Sequence, residues 1–261
     1  MTASRDSTVT VVLLFPDLLG TYGDSGNAVI LAQRLRWRGV PADLLTVRSG
    51  DPVPEGCEFY VVGGGEDLPQ ALAASHLGTS GGPLHTAVDG GAAVLAVCAG
   101  LQILGRSFVG PDGAPVDGLG LLDCDSVRRN GRRSVGEIVV DPDPELGLPV
   151  LTGYENHAST TVLGPSAKPV GRVAEGVGNG GGSGVDGCRA GRIFGTYLHG
   201  PVLARNPAVA DMIHGWVLGD LEPIDDRESD ALRAERLSAA RTKGRSTIPE
   251  RLGDLVRGRR G

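Results

Sequence analysis

Aromatic residues are scarce in this chain, at 4% of 261 residues, and no basic stripe with interleaved aromatics occurs along it. Together with a formal net charge of −6, that argues against a general nucleic-acid binder, which needs cationic side chains to neutralise phosphates. Long hydrophobic runs are missing too. The longest, Val9 to Phe15, is far too short to cross a bilayer and lacks signal-peptide flanks, so a cytoplasmic location is the expectation. Cysteines number only four, Cys57, Cys98, Cys124 and Cys188, widely spaced and without a Cys-x-x-Cys pair. That spacing speaks against a disulfide framework or a zinc site, and no metal is expected. Cys57 and Cys124 read as small buried hydrophobes. No glycine run is followed by Gly-Lys-Ser/Thr, so no ATP-binding loop is expected.

What is abundant is glycine, at 42 residues, beside a hydrophobic share of 40%. This balance suits an α/β fold with many tight turns, and the length is ample for a substantial core. Residues 8–15 read as a central strand, being β-branched and nearly all apolar. Further strands are predicted at 42–47, 58–62 and 93–97, with helices at 27–38, 68–77 and 83–89 between them. Strand and helix in alternation with short connections predict a mostly parallel central sheet with helices on both faces. After residue 110 the helical signal drops. Shorter strands are predicted near 119–125, 135–140, 150–155, 169–174 and 192–197, and closing helices at 206–218 and 226–240. Residues 1–240 form one expected domain. Residues 176–191 hold eight glycines and predict a long solvent-exposed hairpin loop, and 241–261 carry seven Lys/Arg against two acids and predict a frayed basic tail.

The most informative stretch runs from Ala93 to Gly105: an apolar strand leads straight into Cys98 flanked by small residues, and an apolar helix follows. That layout is a nucleophile elbow, and a helix N-terminus favours thiolate over thiol. About a hundred residues later the strand ending in Thr196-Tyr197 leads to Leu198-His199-Gly200-Pro201. A thiol and an imidazole at the carboxyl ends of two strands of one sheet predict cysteine-dependent acyl transfer. To attack a carboxamide, the thiol must lose a proton, the leaving ammonia must gain one, and the oxyanion must be held. His199 is the candidate for both proton transfers. The N–H of Ala99 is one candidate oxyanion donor, and Gly63-Gly64-Gly65 holds the other, with Gly64 and Gly65 the residues closest to substrate. The triple glycine also reads as a plain tight turn; as a phosphate cradle it fails, because Glu66-Asp67 would repel phosphate. A third group usually orients the histidine. Pro201 stands two residues after His199, so no acid is available there. Asp24, in the first loop, is open to two readings, the orienting carboxylate or a helix N-cap.

Taken together these residues resemble the class I, triad-type glutamine amidotransferases, whose central sheet is flavodoxin-like. The branch they resemble is shared by cobyric acid synthase-like glutaminase domains and GatD-like subunits, which lack the His-x-Glu of other class I enzymes. The resemblance rests on Tyr22-Gly-Asp-Ser-Gly-Asn27, Gly63-Gly-Gly-Glu-Asp-Leu-Pro-Gln70, Val97-Cys-Ala-Gly-Leu-Gln102, Gly118-Leu-Gly-Leu-Leu-Asp123, Gly153-Tyr-Glu-Asn-His157 and Tyr197-Leu-His-Gly-Pro201. It is more similar to the GatD-like side than to the cobalamin enzymes. The resemblance implies release of ammonia from L-glutamine through a γ-glutamyl thioester on Cys98. It also implies a heterodimer with a MurT-like Mur ligase subunit, which carries the ATP site, reaches lipid II and amidates the stem-peptide D-glutamate to D-isoglutamine. No cofactor is implied for the chain itself. By the same resemblance Asp24 is the third catalytic residue, and Arg133, or its neighbour Arg132, handles glutamine through its α-carboxylate. His157 is implied to be structural. Competing expectations are a glutaminase for cobyric acid-type amidation and a non-catalytic binding module of the same fold.

Overall fold

The computed structural model describes residues 8–78, 82–129 and 131–246. Its centre is a six-stranded sheet. Strand β1 (Val9–Leu14) is flanked by β2 (Ala42–Val47) and β3 (Phe59–Val62), followed outward by β4 (Ala93–Val97) and β14 (Ile193–Thr196). These five strands run parallel, and β13 (Cys188–Ala190) closes the far edge antiparallel to β14. Every residue of β3, β4 and β14 is buried, which is why β3 and β4 read as unbroken apolar runs rather than alternating ones. Helices α1 (Gly26–Trp37), α5 (Val202–Arg205) and α6 (Pro207–Leu218) pack together, as do α2 (Asp67–Leu77) and α4 (Ala99–Leu104), while both α6 and α4 touch β4. Helix α3 (Pro83–Asp89) leads into β4.

Two four-stranded sheets stand beside the central one. The first orders β10 (Ser159–Leu163), β7 (Cys124–Arg128), β5 (Ser107–Val109) and β6 (Pro115–Asp117). The second orders β12 (Val185–Asp186), β11 (Gly171–Glu175), β8 (Ser134–Pro142) and β9 (Leu151–His157). The strand predicted at 119–125 begins only at Cys124. Leu119 and Leu122 are buried as expected of a strand, but in a loop whose N–H groups serve helix α4: Leu119 bonds to Ile103, Gly120 to Gly105 and Leu122 to Leu104. They satisfy carbonyls that a helix C-terminus leaves open.

The glycine-rich segment also departs from expectation. Only residues 181–184 are a run of exposed positions, whereas Asn179 and Asp186 are fully buried, and the segment supplies β12 and β13. Asn179 locks it by donating to the carbonyl of Gly187 at 2.8 Å and accepting from its N–H at 2.7 Å. Helix α7 (Arg227–Ser246) runs past the predicted boundary at 240, and the rest of the expected basic tail, 247–261, lies outside the described residues. No helix among the described residues is long and apolar enough to cross a membrane.

One buried cation ties α1 to the end of the chain. The Arg34 guanidinium, 2% exposed, donates twice to Asp211 of α6 and twice to Asp226 just before α7, at 2.7–2.9 Å. Removing Arg34 leaves Asp226 without its ion partner, while Asp211 keeps Arg38 at 2.8 Å. Because both acids are partly exposed, Arg34→Ala is expected to lower unfolding free energy by about 2–3 kcal/mol, less than a fully buried pair would cost. Urea denaturation followed by far-UV circular dichroism measures this, and an unchanged midpoint would count against the clamp.

Candidate active site

Four adjacent parallel strands end at one edge of the central sheet in the order β14, β4, β3, β1, and the segment after each supplies one part of the site. Cys98 sits in the turn between β4 and α4 with φ of 52°, a left-handed angle rare outside glycine. Such strain persists only when the surroundings over-determine it. Here the Cys98 N–H donates to the carbonyl of Thr196 at 2.9 Å, and the Gly100 N–H donates to Gly63 at 3.1 Å. The elbow is thus pinned to the strand on either side. Cys98 is 6% exposed, and His199 and Asp24 are fully buried.

His199 leaves the end of β14 and is gripped by its backbone. Its N–H donates to Tyr154 at 2.8 Å, and Tyr154 donates back to its carbonyl at 3.1 Å. Its Nδ1 donates to Asp24 Oδ2 at 2.8 Å, and the same oxygen accepts the N–H of Gly64 at 2.9 Å. The Asp24 side chain is therefore not a helix cap; Ser25 occupies that position at the start of α1. Reaching His199 takes Asp24 across the ends of β3 and β4, at about 4.8 Å per strand. Glycine at the end of β3 makes the crossing possible. A Cβ on Gly64 would lie 2.7 Å from His199 Cε1, 2.9 Å from Asp24 Oδ2 and 3.5 Å from Cys98 Cβ. A Cβ on Gly63 would collide with the carbonyl oxygen of Leu19 in the loop that carries Asp24. The three candidate catalytic side chains therefore converge on one bare Cα.

The electrostatics follow from this arrangement. Burial opposes charging of His199, yet hydrogen bonding to Asp24 and the negative charge of a Cys98 thiolate outweigh it and push the imidazole up to about 10. Asp24 occupies Nδ1, and Nε2 has no completed hydrogen bond among the described residues, leaving it available on the Cys98 side. Because Asp24 takes the N–H of Gly64, Gly65 is left as the glycine loop's candidate donor. The N–H of Ala99, in the first turn of α4, lacks an intrahelical partner by its position.

Arg133 is not brought against these groups. Its guanidinium grips Asn156, donating to both the side-chain oxygen and the carbonyl, the latter at 3.2 Å, and the residue is exposed at the mouth of β8. Arg132 beside it is also exposed. His157 stacks on Tyr197 with ring centres 4.0 Å apart, behind the site rather than in it. Among the described residues no cluster of His, Cys, Asp and Glu could hold a metal ion. Two tyrosines at the site were not singled out by sequence. Tyr154 holds the His199 backbone, and Tyr22, itself at φ of 67°, sets its ring edge against His199 at 4.9 Å while its hydroxyl reaches Glu66 at 3.5 Å. Both stand in motifs that carry the family resemblance, Tyr22 two residues before Asp24 and Tyr154 in Gly153-Tyr-Glu-Asn-His157, but neither motif by itself shows a contact with His199.

Residues 10–207 match the CobB/CobQ-like glutamine amidotransferase domain. The chain is 32% identical over 206 residues to the lipid II isoglutaminyl synthase (glutamine-hydrolyzing) subunit GatD of Staphylococcus aureus (strain N315), covering 78% of this chain and 82% of that one. It is 30% identical over 203 residues to the protein of the same name from Streptococcus pneumoniae (strain ATCC BAA-255 / R6), with 77% of each chain covered. The cobyric acid synthase of Albidiferax ferrireducens is 29% identical over 207 residues, which span 76% of this chain and only 40% of that enzyme. A nucleophile elbow on a parallel sheet, a histidine on the neighbouring strand and a family match across the whole sheet lead to one assignment: this chain belongs to the CobB/CobQ-like glutamine amidotransferases, in the branch that includes the GatD subunits.

Proposed function

We propose that this chain is the glutaminase subunit of a two-protein amidotransferase, one that hydrolyses L-glutamine and hands the ammonia to an ATP-dependent Mur ligase-like partner. The observation that carries the reading is the convergence of Cys98, His199 and Asp24 around Gly64. In this reading the Cys98 thiolate attacks the γ-carboxamide carbon, and the oxyanion is held by the N–H groups of Ala99 and Gly65. His199, kept in its charged form by Asp24, gives its proton to the departing nitrogen, so that ammonia leaves and a γ-glutamyl thioester remains. The neutral imidazole then takes a proton from water, hydroxide adds to the thioester, and glutamate departs with the Cys98 thiolate restored. Arg133 serves as a carboxylate clamp for glutamine once its hold on Asn156 is exchanged for substrate.

The two relatives named as GatD subunits, each matched over more than three quarters of its length, support lipid II as the eventual acceptor. Amidation of the D-glutamate of the stem peptide would then be the partner's chemistry. A role in cobyric acid-type amidation has weaker support, since the chain spans 40% of the synthase it matches. The purified chain, combined with a Mur ligase-like partner, ATP, glutamine and lipid II, is expected to yield D-isoglutamine in the stem peptide, read by mass spectrometry of the muropeptides. A product that forms equally well without this chain, with glutamine as the sole nitrogen source, would refute the assignment.

A further inference from the structure

The glycine-rich segment holds a buried acid for which the hydrolytic scheme has no use. Asp186 ends β12, is fully buried, and points its carboxylate at the strand that delivers His199. Its Oδ2 accepts the Thr196 hydroxyl at 2.6 Å, and its Oδ1 accepts the Tyr197 N–H at 3.3 Å. The same Thr196 hydroxyl oxygen accepts the N–H of Leu198 at 3.1 Å, and the Thr196 carbonyl accepts the Cys98 N–H at 2.9 Å. One carboxylate therefore fixes three consecutive residues that hold the elbow at one end and release His199 at the other. The Asn179–Gly187 lock described above fixes Asp186 in turn.

We infer that Asp186 is a positioning residue for amide hydrolysis, setting the Thr196–Leu198 backbone so that Cys98 and His199 meet in register. This rests on the glutaminase reading. A carboxylate is needed rather than any polar group, because both donors point at it and only the ionised form accepts from both without a proton of its own. Burial pushes Asp186 up to about 7, against the opposing pull of its bonds to Thr196 and Tyr197. The charged groups acting on it are Glu155 of β9, which raises it further, and His199, which lowers it. Glu155 is itself held by the N–H groups of Val177 and Gly178 and lies 3.5 Å from His157. Ionisation of Asp186 thus falls where it would be felt near neutral pH.

The test measures steady-state glutamine hydrolysis, and iodoacetamide alkylation of Cys98 mapped by peptide mass spectrometry, for the full chain with its partner. Asp186→Asn is expected to lower kcat roughly 10- to 100-fold with KM within about threefold, as for a small misplacement of reacting groups. It should slow Cys98 alkylation in parallel and remove an inflection near pH 7 from the kcat profile. Because the Asn variant could misfold, Thr196→Val breaks the same bond from the other side and should reproduce the loss, with Thr196→Ser restoring most of it. Glutamine hydrolysis by the wild type together with kcat, alkylation rate and pH profile within twofold in Asp186→Asn or Thr196→Val would overturn the inference. A wild type that hydrolyses no glutamine, yet whose Cys98 alkylation slows in Asp186→Asn, would instead sink the glutaminase reading and leave the positioning role standing.

Discussion

Replacing Cys98 by alanine should abolish ammonia release from glutamine, with kcat falling by at least about 10⁴-fold, because no covalent intermediate can form without the sulfur. The fold should survive. Cys98 is one small side chain whose backbone is pinned by Thr196, and the Gly100 bond to Gly63 does not involve the thiol. Amidation by the partner fed with free ammonium salt should therefore continue at the wild-type rate, which separates lost nitrogen supply from lost assembly. The decisive comparison is glutamine against ammonium as nitrogen source in the same preparation. Retained glutamine use in Cys98→Ala would end the thioester mechanism outright.

Asp24→Asn should be nearly as damaging. Asp24 Oδ2 accepts two donors, the Nδ1–H of His199 and the N–H of Gly64. An amide oxygen in that place can accept both, but it carries no charge to stabilise the imidazolium, and its NH2 would replace Oδ1, which has no hydrogen-bond partner among the described residues. It also removes one of the influences that raise His199, so the imidazolium becomes harder to form where it is needed. A fall in kcat of about 10²–10⁴-fold is expected, with a modest change in KM. The stability consequence has a definite sign. His199 titrates higher in the folded chain than its ordinary 6.5, so its charged form stabilises the fold fully below that value, and the contribution fades as pH rises towards about 10. Asp24→Asn should shrink this contribution, so that the difference in melting temperature from wild type narrows on going from pH 6 to above pH 10. Wild-type turnover in Asp24→Asn would reduce Asp24 to a structural tie.

Much of the site was legible because its residues stand at places where the chain announces itself. The strand before Cys98 is a continuous apolar run, as a strand buried on both faces must be, and the elbow follows without a spacer. The ends of β2 and α3 fall where periodicity puts them, at 42–47 and 83–89. Asp24 was readable only as one of two things, since a first-loop Asp before a helix looks the same whether it caps or reaches away. The later strands were harder. Strand β10 follows β9 with Ala158 alone between them, too short a connection to leave a turn signature, and it was missed. Leu119 and Leu122 look like strand residues because burial, not conformation, is what their apolar character reports. Asp186 and Tyr154 act through contacts made 11 and 45 residues away in sequence, and no local pattern encodes such partners.

Because His199 and Asp24 are fully buried, nitrogen leaving a bound amide would begin its path in a place with little bulk solvent around it. In the proposed scheme the imidazolium would supply the single proton that makes it neutral ammonia, and the surrounding burial would slow the next protonation by bulk solvent. Ammonium has no lone pair to offer an activated carboxylate. Burial of the imidazole would thus protect the cargo's reactivity during transit as much as it would sharpen the bond-breaking step.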